Sequence, residues 1–168
     1  DNLFPKNWFK NVSYSQDGED MVLHNYYESD KSYKGFFVDI GAHHPYRFSN
    51  TARFYLKGWV GINVEPTPSL FKKFVQHRRR DINLNMGVAN TKGELTFFEF
   101  NEGAYNTFDA KKVEHILAKS KVKLVRESKV PVNTLEAILE QYLPAEQQID
   151  FMTVDVEGLD FQVLSSNN

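Results

Sequence analysis

Four polar side chains each stand at the end of an apolar segment and could bind a ligand together. They are Asp39, Glu65, Asn85 and Asp155. The carboxyl ends of parallel strands meet at one edge of a sheet, where open α/β sheets bind ligands. Carboxylates at that edge accept hydrogen bonds from amines or hydroxyls. The pattern therefore predicts one cleft lined by all four side chains.

The spacing of the first two acids indicates the class of ligand. Glu65 follows Asp39 by 26 residues. In nucleotide-binding βαβ folds, an acid roughly 20 residues beyond the first loop holds the ribose hydroxyls. The implied ligand is a nucleoside-containing cofactor. Asn85, after the third predicted strand, either contacts the adenine or caps the strand end.

The loop Gly41-Ala42-His43-His44-Pro45 narrows the choice of cofactor. A diphosphate site requires several glycines and free backbone N–H groups, but the G-x-G-x-x-G pattern fails here and Pro45 has no N–H. The neighbouring acid, Asp39, suits a cationic ligand. The loop therefore disfavours NAD and FAD and favours S-adenosylmethionine, which carries an amine and a sulfonium. The predicted cofactor contacts are Asp39, Gly41, Ala42, His43, Glu65, Asn85 and Asp155.

Alternating apolar and amphipathic segments predict a parallel sheet that positions these residues. The predicted strands cover residues 36–40, 59–64, 82–85 and 149–154. Helices are expected from Ser49 or Asn50 through Lys57, from Thr67-Pro68 onward, and after Thr134. In the first of these, Ala52, Tyr55 and Leu56 are expected to face the core.

Further elements are expected outside this βαβ pattern. Ser15 caps a helix whose residues Met21, Val22 and Tyr26 face the core. Residues 86–90 and 95–100 flank a turn and predict a hairpin. A helix over 110–120 and a charged edge strand over 121–132 follow.

Composition limits the class of protein. The 168 residues, 41% apolar and 14% aromatic, suffice for a globular domain with a buried core. The net charge of −2 creates no field that attracts nucleic acid, and Arg78-Arg79-Arg80 is interpreted as the cationic end of a helix. The absence of cysteine fits a reducing compartment, and no apolar segment reaches the length of a membrane span. A cytoplasmic protein without nucleic-acid or membrane partners is expected.

Several stretches, taken in order, resemble the FkbM-type S-adenosylmethionine-dependent methyltransferases. They are residues 15–20 (SQDGED), 37–43 (FVDIGAH), 49–51 (SNT), 58–66 (GWVGINVEP), 132–135 (VNTL) and 150–158 (DFMTVDVEG). The resemblance implies a class I Rossmann-like α/β fold, with a mostly parallel sheet and helices on both faces. That fold normally has more strands, so the sheet is expected to be truncated after its fourth core strand. Residues 1–34 then form an N-terminal segment with a helix, and residues 35–168 form the S-adenosylmethionine-binding domain.

The resemblance also implies an activity and assigns roles. It implies an O-methyltransferase that transfers a methyl group from S-adenosylmethionine to a hydroxyl of a saccharide or secondary metabolite. Asp39 and Gly41 match the glycine-loop motif beside the methionine part of the cofactor, and Glu65 matches the acid that holds the ribose. Asp155 and Glu157 match the D-x-E-G motif next to the reacting centre.

A hydroxyl acceptor must lose a proton, so the site needs a general base. The candidate catalytic residues are His43, His44, Asp155 and Glu157. The same side chains could hold a metal ion, but neighbouring histidines without H-x-H or H-E-x-x-H spacing favour no metal. Two other functions stay open. One is a non-catalytic domain that binds S-adenosylmethionine or a partner, and the other is a nucleotide-dependent oxidoreductase, against which the glycine-poor loop argues.

Overall fold

The computed structural model describes residues 11–27, 30, 32–156 and 160–165. Its main sheet has four parallel strands in the order β3-β2-β1-β7. They are β1 (Phe36–Ile40), β2 (Val60–Val64), β3 (Ile82–Leu84) and β7 (Phe151–Val154). All four predicted core strands are confirmed within a few residues. The sheet extends from β1 through β2 to β3 on one side and continues with β7 on the other, so its switch point lies between β1 and β7.

Helices lie on both faces of this sheet. They are α1 (Glu19–Tyr27), α2 (Ala52–Leu56), α3 (Pro68–His77), α5 (Leu135–Tyr142) and α6 (Asp160–Leu164). The remaining described helix, α4 (Ala110–Lys119), packs elsewhere, with Val113 and Ile116 against Phe100. Thr134 caps α5 as predicted, because its hydroxyl accepts the N–H of Ala137 at 3.2 Å. The fold is therefore a mixed α/β fold with a mainly parallel sheet. The division of the chain at residue 34 stays a prediction.

The central strand shows how the sequence builds the layers. Every residue of β1 is buried, and alternate side chains of a strand point to opposite faces. Val38 and Ile40 join the core cluster that contains Leu135 of α5. Phe37 packs on the other face with Phe54 of α2, which leaves Asp39 on that second face.

Two details of the helices differ from the sequence prediction. In α1, Val22 and Tyr26 are 71% and 78% exposed, and Leu23 and Tyr27 pack against the core instead. In α2, Leu56 is 54% exposed and Phe54 is buried. Both helices are short, and neither has a long apolar stripe that fixes its inward face from sequence alone.

A second sheet forms beside the first and corrects two predictions. Its strands are β4 (Gly87–Val88), β5 (Gly93–Phe100) and β6 (Leu124–Asn133), in the order β4-β6-β5. The predicted hairpin of residues 86–100 is wrong, since β5 pairs antiparallel with β6 and β4 pairs parallel with the far edge of β6. Strand β6 is therefore central over part of its length, where an edge strand was predicted. β4 is only two residues long, whereas β6 is long enough to pair along the whole of β5.

The helices of the described residues include none that is both long and apolar enough to cross a membrane.

Candidate functional site

Asp39 is the first acid of the site, and the fold buries it near the end of β1. Its side chain is 5% exposed, and its Oδ2 accepts a hydrogen bond from the Thr51 hydroxyl at 2.7 Å. Burial raises the pKa of Asp39 to about 6, although the Thr51 hydroxyl and the nearby Arg78 cation oppose the shift. A buried carboxyl that is readily neutralised suits a ligand that brings positive charge or hydrogen-bond donors.

Glu65 stands directly after β2 and holds two loops. Its Oε2 accepts the backbone N–H of His43 at 2.8 Å, and its Oε1 accepts the backbone N–H of Thr67 at 2.7 Å. Burial raises the pKa of Glu65 to about 7, and the charge of Asp39 adds to the shift. One carboxyl therefore fixes the loops after both β1 and β2.

Gly41 lets the loop after β1 pass close to the end of β7. Its φ is +80°, in the left-handed region that favours glycine. A Cβ at this position would overlap the carbonyl oxygen of Asp155. The N–H groups of Gly41 and Ala42 both donate to the carbonyl of Val64, at 3.0 and 3.1 Å. Strands β1, β2 and β7 thus converge on one turn with no room for a side chain.

A cavity of about 310 Å³ opens at this edge of the sheet, within the size range of small-molecule sites. Acidic side chains, apolar side chains and backbone groups from well-separated parts of the chain line this cavity. Among its lining residues are Gln16, Asp17, Glu19, Asp39, Gly41, Ala42, His43, Asn50, Glu65, Met86, Phe97, Asn106, Thr107, Phe108, Thr153 and Asp155. The lining residues that the structure describes include five carboxylates and neither lysine nor arginine. The cavity is therefore acidic.

Strand β5 and the segment after it form a further wall of the cavity. Phe97 and Phe108 pack against each other with ring centroids 4.6 Å apart. Asn106 ties this wall to the sheet, since its Oδ1 accepts the N–H of Phe100 at 2.8 Å and its Nδ2 donates to the Thr67 hydroxyl at 3.3 Å. The second sheet therefore contributes directly to the cavity.

A family model for the methyltransferase FkbM domain matches residues 39–168. The chain belongs to the FkbM methyltransferase family. The match covers the two buried acids, the loop after β1 and the wall after β5. No curated protein and no solved structure matched the chain.

Most of the predicted site residues of this FkbM domain lie together. Asp39, Gly41, Ala42, His43, Glu65 and Asp155 all line the one cavity. Their individual roles as ligand contacts or catalysts stay predictions, and Glu157 lies outside the described residues. Within the part of the chain that the structure describes, no group of three or more His, Asp or Glu side chains is arranged to hold a metal ion.

Two predicted residues lie beside the cavity and do not line it. The Nδ1 of His44 accepts the backbone N–H groups of Tyr46 and Arg47, both at 3.2 Å. Burial, with the charge of Lys73, lowers the pKa of His44. The amide of Asn85 donates to the carbonyls of Glu65 and Pro66 at 2.9 and 3.0 Å, which holds the turn after β2. In the FkbM domain both side chains therefore brace loops.

Several residues at the candidate site of this FkbM domain were not predicted from the sequence. Asp17, just before α1, and Glu19, its first residue, line the cavity, although neither was among the predicted site residues. Thr51 lies at the start of α2, and its hydroxyl also contacts Asp39. Arg78 lies at the end of α3, as predicted, but it is fully buried. Long-range contacts decide all of these roles, and no local pattern reports them.

The raised pKa of Asp39 predicts how the stability of the ligand-free protein depends on pH. The folded-state pKa, about 6, lies above the ordinary value of 3.8. The folded protein therefore binds this proton more tightly than the unfolded chain, and stability falls as pH rises from about 4 through about 6. Asp39→Asn keeps the shape and stays neutral. We expect its unfolding free energy to exceed that of the wild type by about 1–3 kcal/mol at pH 7.5, and the difference to fall to about one third of that value at pH 4.5. Urea unfolding at the two pH values measures this, and a difference that does not change with pH would contradict it.

Proposed function

We propose that this FkbM-family chain is an S-adenosylmethionine-dependent O-methyltransferase whose acceptor is a hydroxyl of a saccharide or a secondary metabolite. One observation carries the proposal. Asp39 and Glu65, buried acids from neighbouring strand ends, line the same cavity beside the switch point of the sheet. This is the place where open α/β sheets bind ligands.

The chemistry of the lining fits the cofactor. The carboxylate of Glu65 accepts the backbone N–H groups of His43 and Thr67 and a hydrogen bond from the Thr67 side chain. A carboxylate has about four acceptor sites, so capacity is left for a ribose hydroxyl. Asp39 offers a negative charge to an amine. Gly41 lines the cavity, and its backbone lies too close to the carbonyl of Asp155 to leave space for a Cβ. Met86, Phe97 and Phe108 provide apolar surface for the adenine ring of the cofactor.

The acidity of the lining favours this cofactor over a dinucleotide. The lining contains five acidic side chains, and among its described residues neither lysine nor arginine is present to pair with a diphosphate. Asp39 and Glu65 are buried, so the charged forms of these two acids would repel a diphosphate with little screening. Asp17, Glu19 and Asp155 are exposed, where water and salt screen the repulsion. S-adenosylmethionine brings an ammonium and a sulfonium, which the acids attract.

The residues around the cavity have simple tasks in methyl transfer. When bound, the cofactor supplies a methyl group that its sulfonium activates. The acceptor oxygen must be aligned with that carbon, and its proton must pass to a base. His43 and Asp155 both line the cavity and are the proposed proton acceptor and orienting group. The wall that contains Phe97, Asn106 and Phe108 excludes water from the reacting atoms.

Calorimetric titration of the purified chain tests the cofactor. We expect S-adenosylmethionine and S-adenosylhomocysteine to bind, and NAD to bind at least about tenfold more weakly, a difference of about 1.4 kcal/mol. Preference for NAD would overturn the proposal in favour of an oxidoreductase. Transfer of a labelled methyl group to a panel of neutral saccharides and phenols tests the acceptor. Cofactor binding without transfer to any hydroxyl would contradict the O-methyltransferase assignment and indicate a non-catalytic binding domain.

A further inference from the structure

Arg78 lies directly after α3 and is fully buried, with 0% of its surface exposed. Its Nε donates to Oδ2 of Asp81 at 2.8 Å, and both side chains are buried. The guanidinium lies over the ring of Tyr55, 4.4 Å from its centroid. A buried cation is costly unless it is paired and hydrogen-bonded, so its remaining contacts are expected to be specific.

Those contacts lead to the cavity. One terminal nitrogen of Arg78, Nη1, donates to the carbonyl of Pro45 at 3.0 Å, in the loop after β1. The other, Nη2, donates to the Thr51 hydroxyl at 3.2 Å. That hydroxyl in turn donates to Oδ2 of Asp39 at 2.7 Å. Two hydrogen bonds therefore connect the buried cation to the cavity acid, and a third fixes the loop.

We propose that Arg78 is a positioning residue of the candidate site. Through Thr51 it orients the carboxylate of Asp39, and through Pro45 it fixes the loop that carries Gly41 and His43. Lysine cannot replace it, because only the planar guanidinium presents donors toward Asp81, Pro45 and Thr51 at once. The inference rests on the proposed function for its effect on cofactor binding, but the connection to Asp39 stands without it.

The charges around Asp39 sharpen the expected effect. The positive charge of Arg78 favours the ionised form of Asp39, whereas the negative charges of Asp81 and Asp155 oppose its ionisation. Asp39 and Glu65 also repel each other when both are ionised. Removing the cation leaves Asp39 buried among acids. Its carboxyl should then ionise at a higher pH.

The test uses Arg78→Met, Arg78→Lys and Thr51→Val, with Arg80→Met as a matched control. Arg80 also lies over Tyr55, 3.9 Å from the ring centroid, and donates to the carbonyl of Tyr55, but among the described residues it bonds to neither Thr51 nor Pro45. Carboxyl NMR of the ligand-free proteins follows the ionisation of Asp39, and calorimetry follows S-adenosylhomocysteine binding.

In Arg78→Met and Thr51→Val we expect the midpoint of Asp39 to rise by about one pH unit and S-adenosylhomocysteine to bind about tenfold more weakly. Arg78→Lys should weaken binding to a similar extent and shift the midpoint less, because it keeps the charge. Arg80→Met should change neither quantity.

A folded Arg78→Met protein with the wild-type midpoint and affinity would overturn the proposal, even if it melts earlier, since that outcome indicates a structural role alone. If Arg78→Met does not fold, Thr51→Val decides, because it removes only the connecting hydroxyl. If the wild type does not bind S-adenosylhomocysteine, the proposed function fails, and the midpoint of Asp39 alone supports or overturns the role of Arg78.

Discussion

Replacing Gly41 with alanine is expected to abolish S-adenosylhomocysteine binding and to destabilise the protein by about 3–5 kcal/mol. Two causes add. An L-residue at a φ of +80° costs about 1–2 kcal/mol, and the new Cβ overlaps the carbonyl of Asp155. Backbone cannot move aside as a flexible side chain can, so the ends of β1 and β7 must separate. Urea unfolding and calorimetry measure the two effects.

Gly58→Ala is the matched control for this experiment. Gly58 has a similar φ, +95°, but a Cβ there would meet only the side chain of Lys34. We expect a loss of about 1–2 kcal/mol from the backbone conformation alone, with binding unchanged. Equal losses in the two variants, with binding retained in Gly41→Ala, would show that the close approach to Asp155 is unimportant.

Glu65→Ala is expected to weaken S-adenosylhomocysteine binding by about 2–4 kcal/mol, or roughly 30- to 1,000-fold. The variant loses the proposed ribose acceptor, and it also leaves the N–H groups of His43 and Thr67 without their carboxylate. The loops after β1 and β2 then lose their common anchor. Calorimetric titration at pH 8, where the wild-type acid is mostly ionised, measures the change.

Glu65→Gln separates these two contributions. It keeps the length of the side chain but has only one acceptor oxygen, so one of the two backbone N–H groups loses its partner. We expect an intermediate affinity. Glu94→Ala, on the exposed start of β5, is the control and should bind as the wild type does. A folded Glu65→Ala protein within twofold of the wild-type affinity would remove Glu65 from the site.

The parallel sheet was predictable because each of its strands is marked by a short apolar segment in the sequence. The apolar segments before Asp39, Glu65 and Asp155 are buried strands, and strand ends in a parallel sheet must share an edge. The family resemblance, carried by the motifs at those same ends, is confirmed by the family match over residues 39–168. Fold and family therefore followed from short patterns.

The wall of the cavity around β5 and the buried position of Arg78 could not be predicted from local patterns. The turn before β5 was predicted to join residues 86–90 and 95–100 in a hairpin. The partner of β5 is instead β6, which lies about thirty residues further along the chain. Arg78 carries the same charge as Arg79, and only the fold shows that the former is buried and the latter exposed. Side chains whose roles depend on distant segments have no local signature, so a single sequence does not reveal them.

The two buried acids of the cleft exchange protons close to neutral pH, since their pKa values are about 6 for Asp39 and about 7 for Glu65. Between pH 6 and pH 7 Glu65 is substantially protonated, whereas the protonated fraction of Asp39 falls from about one half to about one tenth. Under the proposed function, a cationic cofactor is expected to stabilise the charged forms of both acids and to release protons when it binds. Its affinity is then expected to fall as the pH is lowered.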